Sequence, residues 1–194
     1  MDIDHFLAQR VRALRKQHGL SLAQLAERSG VSRSMISLIE REETSPTAVV
    51  LNKLAGALNV SLAALFADDD AKAGQAPLAR FAAQQLWTDP ESGYMRRHLS
   101  PGSDVSPLEL AEVTFPAGKT VTFENALRNV DAHQQVWMLA GEMKVTVDET
   151  VWHLFPGDCL AMALGRRIVF HNPTAAAARY LVALATHPAG SRRI

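Results

Sequence analysis

The chain has 194 residues, of which 47% are apolar, with twenty basic and twenty acidic side chains and therefore no net charge. The apolar share is enough for a sizeable core and excludes a fully disordered chain. The charge balance excludes a strongly basic, nonspecific nucleic-acid coat. The length predicts one or two domains.

The cellular setting follows from cysteine content and hydropathy. A single cysteine, Cys159, excludes a disulfide within the chain. The opening residues, MDIDHFLAQRVR, lack the apolar core of a signal peptide. No apolar stretch approaches the roughly 20 residues that a membrane-spanning helix needs. We therefore expect a cytoplasmic protein.

The first third of the chain is patterned for short helices. Apolar residues at helical spacing predict a helix over 4–18, ended by Gly19. Ser21 and Gln24 have the spacing of a capping box and predict the start of a second helix. Gly30 predicts its end, because glycine enters the left-handed conformation at low cost.

Three further helices are predicted after Gly30. Ser32 is the expected cap of the third. Ser45-Pro46 is expected to open the fourth, because proline fits the first helical turn. Ser61 is expected to cap a short fifth helix that ends near Phe66. Five helices in so few residues predict a compact all-α domain.

The rest of the chain changes character. We expect a helical domain at 1–67, a linker at 68–78 without bulky apolar residues before Leu78, and a strand-rich domain at 79–194. Short alternating strands separated by turns run from about Leu108 to Ala185, which predicts an all-β barrel or jelly roll. The fold class expected for the whole chain is therefore multi-domain α + β.

A specific motif lies within the helical part. Residues 21–40, SLAQLAERSGVSRSMISLIE, have the spacing of a helix, a tight turn and a second helix. The close crossing is served by a small residue, a turn glycine and apolar packing residues: Ala26, Gly30, Val31, Leu25, Ile36 and Ile39. These residues resemble the phage-repressor (XRE) family of helix-turn-helix DNA-binding proteins over about 66 residues. One departure is Glu42, where such proteins often carry glycine.

The resemblance implies which residues meet DNA. In this family the N-terminal residues of the third helix face base edges in the major groove, and here they are Ser32, Arg33 and Ser34, with Ser37 one turn on. The Arg33 fork matches the O6 and N7 atoms of guanine. Gln24 resembles the family's phosphate clamp. The alternative is that Ser32 only caps the helix and Arg33 is only a solvated charge.

The strand-rich part resembles the cupin family, small β-barrels with a central pocket. The resemblance rests on WMLAGEMKVTV, LFPGDCLAM and FHNPTAAAARYLVALA. Metal-binding cupins carry three histidines and a glutamate, but the corresponding positions here are Glu124, Ala126, Gln134 and Ile168. We therefore expect no metal and no cofactor. A rearranged site with Glu124, His133 and His171 is the alternative.

A barrel without a metal can still bind a small molecule. The expected pocket residues are Phe123, Glu124, Arg128, Gln134, Trp137 and Met162. Glu124 and Arg128 could clamp the two charged ends of an amino acid-like ligand or a polyamine, or they could form a surface ion pair. Cys159 is expected to be a small buried side chain.

These features predict a transcriptional regulator, not an enzyme. It would bind double-stranded operator DNA as a homodimer, and a small-molecule effector in the cupin domain would alter its DNA affinity. One alternative is a cupin enzyme, metal-independent or with an atypical metal, that carries a DNA-binding head. Another is a helix-turn-helix interaction protein such as an antitoxin, whose barrel serves only for dimerisation.

Overall fold

The computed structural model describes residues 3–66, 77–101, 108–124, 130–163 and 165–188. Within these residues there are four α-helices: α1 (Ile3–Gln17), α2 (Leu22–Ser29), α3 (Arg33–Glu40) and α4 (Ala48–Ala57). The expected linker at 68–78 lies outside the described residues except for its last two positions. The first three helices have the predicted starts and ends to within one residue.

Two details of the helical part differ from the prediction. The fourth helix begins at Ala48, because the extended Thr47 is its cap and the Thr47 hydroxyl accepts a hydrogen bond from the Val50 amide at 3.3 Å. Ser45 lies before the helix and donates to a carboxylate oxygen of Asp4 at 2.9 Å.

The expected short fifth helix is present only as a 3-10 turn, so a count of five α-helices is not confirmed within the described residues. Ser61 does accept a hydrogen bond from the Ala64 amide at 2.9 Å, but the segment that follows is one 3-10 turn, Ala63–Leu65. The Phe66 ring then packs against Trp87, with ring centroids 5.8 Å apart. A second 3-10 turn covers Phe81–Ala83.

Within the described residues, ten strands form two antiparallel sheets. Their bounds are β1 (Leu86–Thr88), β2 (Met95–His98), β3 (Leu108–Phe115), β4 (Thr120–Glu124), β5 (Val130–Ala140), β6 (Met143–Val147), β7 (Thr150–Leu154), β8 (Cys159–Ala163), β9 (Arg167–His171) and β10 (Ala178–Pro188). One sheet has the order β1-β2-β3-β10-β5-β8 and the other has β4-β9-β6-β7. This confirms an all-β second half.

The two sheets pack against each other through aromatic side chains. Phe170 of β9 stacks on Tyr180 of β10, with centroids 5.8 Å apart and planes 7° apart. At the turn between β5 and β6, Gly141 has a φ of +74°, and a Cβ there would lie 2.8 Å from the Ala178 Cα. Only glycine therefore lets β5 turn this close to β10.

The helices and sheets share one core. Leu51 and Leu54 of α4 belong to the same cluster of buried apolar residues as Trp87, Phe115 and Tyr180 of the sheets. Within the described residues, no helix is long and apolar enough to cross a membrane.

Candidate DNA-reading surface and interdomain cavity

The turn between α2 and α3 is fixed by local hydrogen bonds. The Ser21 hydroxyl accepts from the Gln24 amide at 3.2 Å, and the Gln24 side-chain oxygen accepts from the Ser21 amide at 2.8 Å. Gly30 ends α2 with a φ of +68°. Ser32 then caps α3 by accepting from the Met35 amide at 3.2 Å. The capping box, the turn glycine and the third helix cap are therefore confirmed.

The start of α3 presents a small polar surface to solvent. Ser32, Arg33 and Ser34 are exposed, and Ser37 is half-buried one turn on. The hydroxyl oxygens of Ser32 and Ser34 lie 3.1 Å apart. Arg33 forms no ion pair with any described residue, so its guanidinium is available to an external partner.

Two further residues shape this surface. Gln24 is exposed at the start of α2. Its side-chain Nε2 atom donates no hydrogen bond to a described residue and lies beside the helix N-terminus. Met35, which the sequence reasoning did not select, is 36% exposed in the first turn of α3. An apolar side chain there can contact a thymine methyl group. The sequence could have indicated Met35, because it is an apolar residue that does not share the buried helix face of Ile36 and Ile39.

A mostly buried ion pair holds the far end of α3. The Arg15 Nε and Nη2 atoms donate to the two Glu40 carboxylate oxygens at 2.6 and 2.7 Å, and Nη1 donates to the Leu20 carbonyl at 2.8 Å. The two side chains are only 13% and 7% exposed. The hydrogen bond to Glu40 raises the pKa of Arg15 above its already high ordinary value. The sequence signal was a cation on the apolar side of the first helix.

After α3 the chain leaves through a left-handed residue. Glu42 has a φ of +65°, the conformation that explains why related proteins often carry glycine there. Its carboxylate lies 2.7 Å from the Nδ1 atom of His5 in α1. The departure noted in the sequence therefore changes a contact and leaves the turn itself intact.

A cavity lies between α4 and the inner faces of both sheets. The volume of this cavity that the centre of a water molecule can occupy is about 60 Å3. The helical side contributes Asn52, Ala55 and Gly56 of α4. The sheets and the turn before β2 contribute polar, aromatic and aliphatic side chains, among them Tyr94, Arg96, Phe123, Gln134, Ile168 and Tyr180. The helical part of the chain therefore forms one wall of the cavity.

Two of the expected ligand-binding residues, Phe123 and Gln134, line this cavity. Met162 is buried on β8, with its sulfur 4.0 Å from the Gln134 side-chain nitrogen. Glu124 borders a separate surface cleft beside α4. Arg128 lies outside the described residues, so the expected Glu124–Arg128 clamp does too.

Two expectations on β5 and β8 differ from the structure. Trp137 is 48% exposed on the outer face, because the alternation of β5 turns Gln134, Val136 and Met138 inward. Cys159 pairs with Trp137 in the ladder and is also exposed, so the expectation of a buried cysteine is wrong.

The side chains at the positions that correspond to the metal ligands of cupins do not fit a metal ion. Ile168 and Gln134 both line the cavity, and isoleucine has no donor atom. Ala126 lies outside the described residues. The Nδ1 atom of His171 is 2.9 Å from the Thr120 hydroxyl, at the surface. No three His, Cys, Asp or Glu side chains within the described ranges are placed to share a metal.

Directed contacts join α4 to the sheets. The buried Asp89, in the turn between β1 and β2, accepts from the Ala48 amide at 2.8 Å and so caps α4 from outside the helical domain. Its other oxygen accepts from the amide and the hydroxyl of Ser92. The Asn52 side chain donates to the Glu124 carbonyl at 3.3 Å. A displacement of α4 therefore alters the cavity and the sheets together.

A capped third helix in a four-helix unit, joined to two antiparallel sheets, is the arrangement of a helix-turn-helix protein with an added β-sheet part. Residues 11–65 match the family model for helix-turn-helix proteins, HTH_3. The control protein C.SmaI of Serratia marcescens is 47% identical over 62 residues, which are 32% of this chain and 74% of that protein. The chain belongs to the XRE-type helix-turn-helix family of transcriptional regulators, as its sequence motif predicted.

Two relatives match over nearly the whole length. The HTH-type transcriptional regulator PuuR of Escherichia coli (strain K12) is 27% identical over 175 residues, covering 90% of this chain and 92% of that protein. The crystal structure of an HTH_3 family transcriptional regulator from Vibrio cholerae has a TM-score of 0.75 at 26% identity, covering 95% of this chain and 97% of that chain. Several other curated relatives match only around the helical domain, and the chain spans 33%, 59% and 44% of their lengths.

Proposed function

We propose that this chain is a cytoplasmic, non-enzymatic transcriptional regulator that reads a two-fold symmetric operator as a homodimer. Residues 1–67 serve as the reading domain, 68–78 as a linker, and 79–194 as the sensing and dimerisation domain. The single observation that carries the proposal is the position of Arg33 at the start of α3. It is exposed and forms no ion pair with any described residue, while the helix is capped and packs its opposite face into the core.

The geometry suits major-groove reading. A helix that enters the groove by its N-terminus presents its first residues to base edges. Arg33 supplies the bidentate donor fork, and Ser34 and Ser37 supply hydroxyls for a base edge or a phosphate. The side-chain Nε2 atom of Gln24 can donate to a phosphate oxygen. The partial positive charge of the α2 N-terminus adds to the attraction.

The effector site in this proposal is the cavity beneath α4. A ligand there touches the reading domain and the sheets at once, because Asn52 and Gly56 share the cavity with Phe123 and Gln134. Any difference in ligand affinity between two positions of α4 shifts the balance between them. By thermodynamic linkage, operator binding changes ligand affinity by the same factor.

The test of the reading role is Arg33→Ala on an operator obtained by selection from random duplex DNA. We expect a loss of about 1–3 kcal/mol in binding free energy and a relaxed preference at one base pair. Lys144→Ala, an exposed lysine on β6, is the matched control and should leave affinity unchanged. An equal loss on every DNA sequence would reduce Arg33 to a phosphate contact and contradict the reading role.

A further inference from the structure

The cavity contains a cation, Arg96, and none of the described lining residues is a carboxylate that could balance its charge. Arg96 of β2 is 7% exposed, and its Nε atom has no hydrogen-bond partner within the described residues. No described carboxylate forms an ion pair with it. The guanidinium carbon of Arg96 lies 5.9 Å from the centroid of the Phe66 ring. A buried cation is costly to keep when one of its donors, here the Nε–H group, has no acceptor among the described residues, so this arrangement calls for an explanation.

The strand geometry aims Arg96 at the cavity. Arg96 pairs in the ladder with Val113 of β3, and both line the cavity. The next residue, Arg97, points to the opposite face and lies over the exposed ring of Phe81 at 4.3 Å. The chain thus places one arginine inside and one outside on successive positions of the same strand.

The groups around Arg96 are hydrogen-bond donors set in apolar walls. Burial raises the pKa of Tyr94 to about 12 and that of Tyr180 well above its ordinary value, so both phenols remain protonated and able to donate. The charge of Arg96 has the opposite, smaller effect on the pKa of both tyrosines, and all three side chains line the cavity. Among the described lining residues, Arg96 is the only charged one, and no Asp or Glu is present.

We propose that this cavity binds a small organic oxyanion, with one charged oxyacid group held by Arg96 and an apolar body packed against Phe123, Ile168 and Phe170. This inference rests on the proposed function, in which the cavity is the effector site. The anion would supply the missing counter-charge, and charge-assisted bidentate bonds are the strong ones. A polyamine or a zwitterion would leave its ammonium group without a carboxylate partner.

The position of Arg96 also gives the ligand a route to the reading domain. Phe66 is the last described residue of the helical part, and its ring forms a cation–π contact with the Arg96 guanidinium. An oxyanion competes with that ring for the guanidinium, while its apolar body meets Ala55 and Gly56 of α4. Occupancy therefore changes contacts on both sides of the interdomain boundary.

The test measures thermal stabilisation and calorimetric binding of the full chain with simple probes at about 10 mM, a concentration at which even weak binding stabilises. The probes are propanoate, benzoate and phenylphosphonate, with propanamide, benzamide and benzylamine as neutral and cationic counterparts, and inorganic phosphate as an oxyanion without an apolar body. We expect at least one organic oxyanion to raise the Tm and its counterparts not to. No stabilisation by any of the three, or stronger stabilisation by benzylamine or by inorganic phosphate, would overturn the proposal.

The matched variants are Arg96→Met and Arg97→Met. Arg96→Met should weaken oxyanion binding about tenfold or more, as expected for loss of a charge-assisted pair, whereas Arg97→Met should not. The ligand-free Tm of Arg96→Met should equal or exceed that of the wild type, because an uncompensated charge is removed. Unchanged binding by Arg96→Met, or a ligand-free Tm several degrees lower, would assign Arg96 a structural role and overturn the inference.

Operator binding separates this inference from the function on which it rests. Selection of a defined DNA sequence by the wild type, with no binding of any oxyanion, would overturn the ligand class and leave the regulator function standing. Absence of any sequence preference in the wild type, with oxyanion binding retained, would overturn the regulator function and leave the ligand class standing.

Discussion

At the scale of single residues, His98 has an environment that opposes its charged form. It follows Arg96 by two positions on β2, and its buried Nδ1 atom has no hydrogen-bond partner among the described residues. Burial, with a smaller contribution from the charge of Arg96, lowers the pKa of His98 to about 4. An unfolded histidine titrates near 6.5.

This difference makes stability depend on pH in a defined window. The unfolded chain takes up a proton on His98 at a higher pH than the folded chain does. The free energy of unfolding is therefore at its full value above about pH 6.5 and falls as the pH decreases toward 4, by up to about 3 kcal/mol. Urea unfolding at several pH values measures this slope.

The variant His98→Gln should remove that part of the slope, since glutamine does not titrate. His153→Gln is the control, because His153 is an exposed histidine paired with Glu142 at 3.2 Å. A His98→Gln protein with the wild-type slope between pH 6.5 and 4 would contradict this account of the buried imidazole.

At the scale of elements, the orientation of the recognition helix depends on the Arg15–Glu40 pair between α1 and α3. Removing one partner of a buried pair leaves the other charge uncompensated. We expect Arg15→Met to lower the free energy of unfolding by about 3 kcal/mol. The double variant with Glu40→Gln should recover part of that loss, because the remaining charge is gone.

Chemical denaturation of the wild type, Arg15→Met, Glu40→Gln and the double variant measures the coupling between the two side chains. The exposed pair between Arg166 and Asp148, whose charged atoms are 2.8 Å apart, is the control. Arg166→Met should change stability by less than about 1 kcal/mol. A similarly small effect of Arg15→Met would show that the clamp does not hold α3.

Sequence patterns predicted those elements whose cause is local. The caps at Ser21 and Ser32 and the turn at Gly30 were predictable because each depends on a few neighbouring residues. The start of α4 was not, because Thr47 and Asp89 share the cap and Asp89 comes from a distant turn.

The candidate cavity was only partly predictable for a related reason. Phe123 and Gln134 follow from strand alternation, whereas a cationic strand such as Met95–His98 suggests exposure on both faces. Hydropathy cannot show that Arg96 turns inward while Arg97 turns outward. Only the pairing of β2 with β3 and the contact with Phe66 reveal it.

At the scale of the whole molecule, the helical head and the sheets are continuous. One cluster of buried apolar residues runs from α1 through α4 to β10, and the Phe66–Trp87 contact crosses the boundary. We expect a single unfolding transition in calorimetry, with equal calorimetric and van't Hoff enthalpies. Two separate transitions would show that the parts are independent, and the cavity between them could not then couple ligand to DNA.

In the proposed function, α3 reads DNA sequence from a symmetric pair of chains. The most direct measurement is selection of bound sequences from random duplex DNA with the full chain, at about physiological salt, where nonspecific binding is weakened. We predict a two-fold symmetric site with half-site centres about 34 Å apart, or a multiple of that distance, lost with Arg33→Ala. Failure to enrich any sequence, with or without the organic oxyanions, or enrichment of one unpaired half-site, would contradict the account.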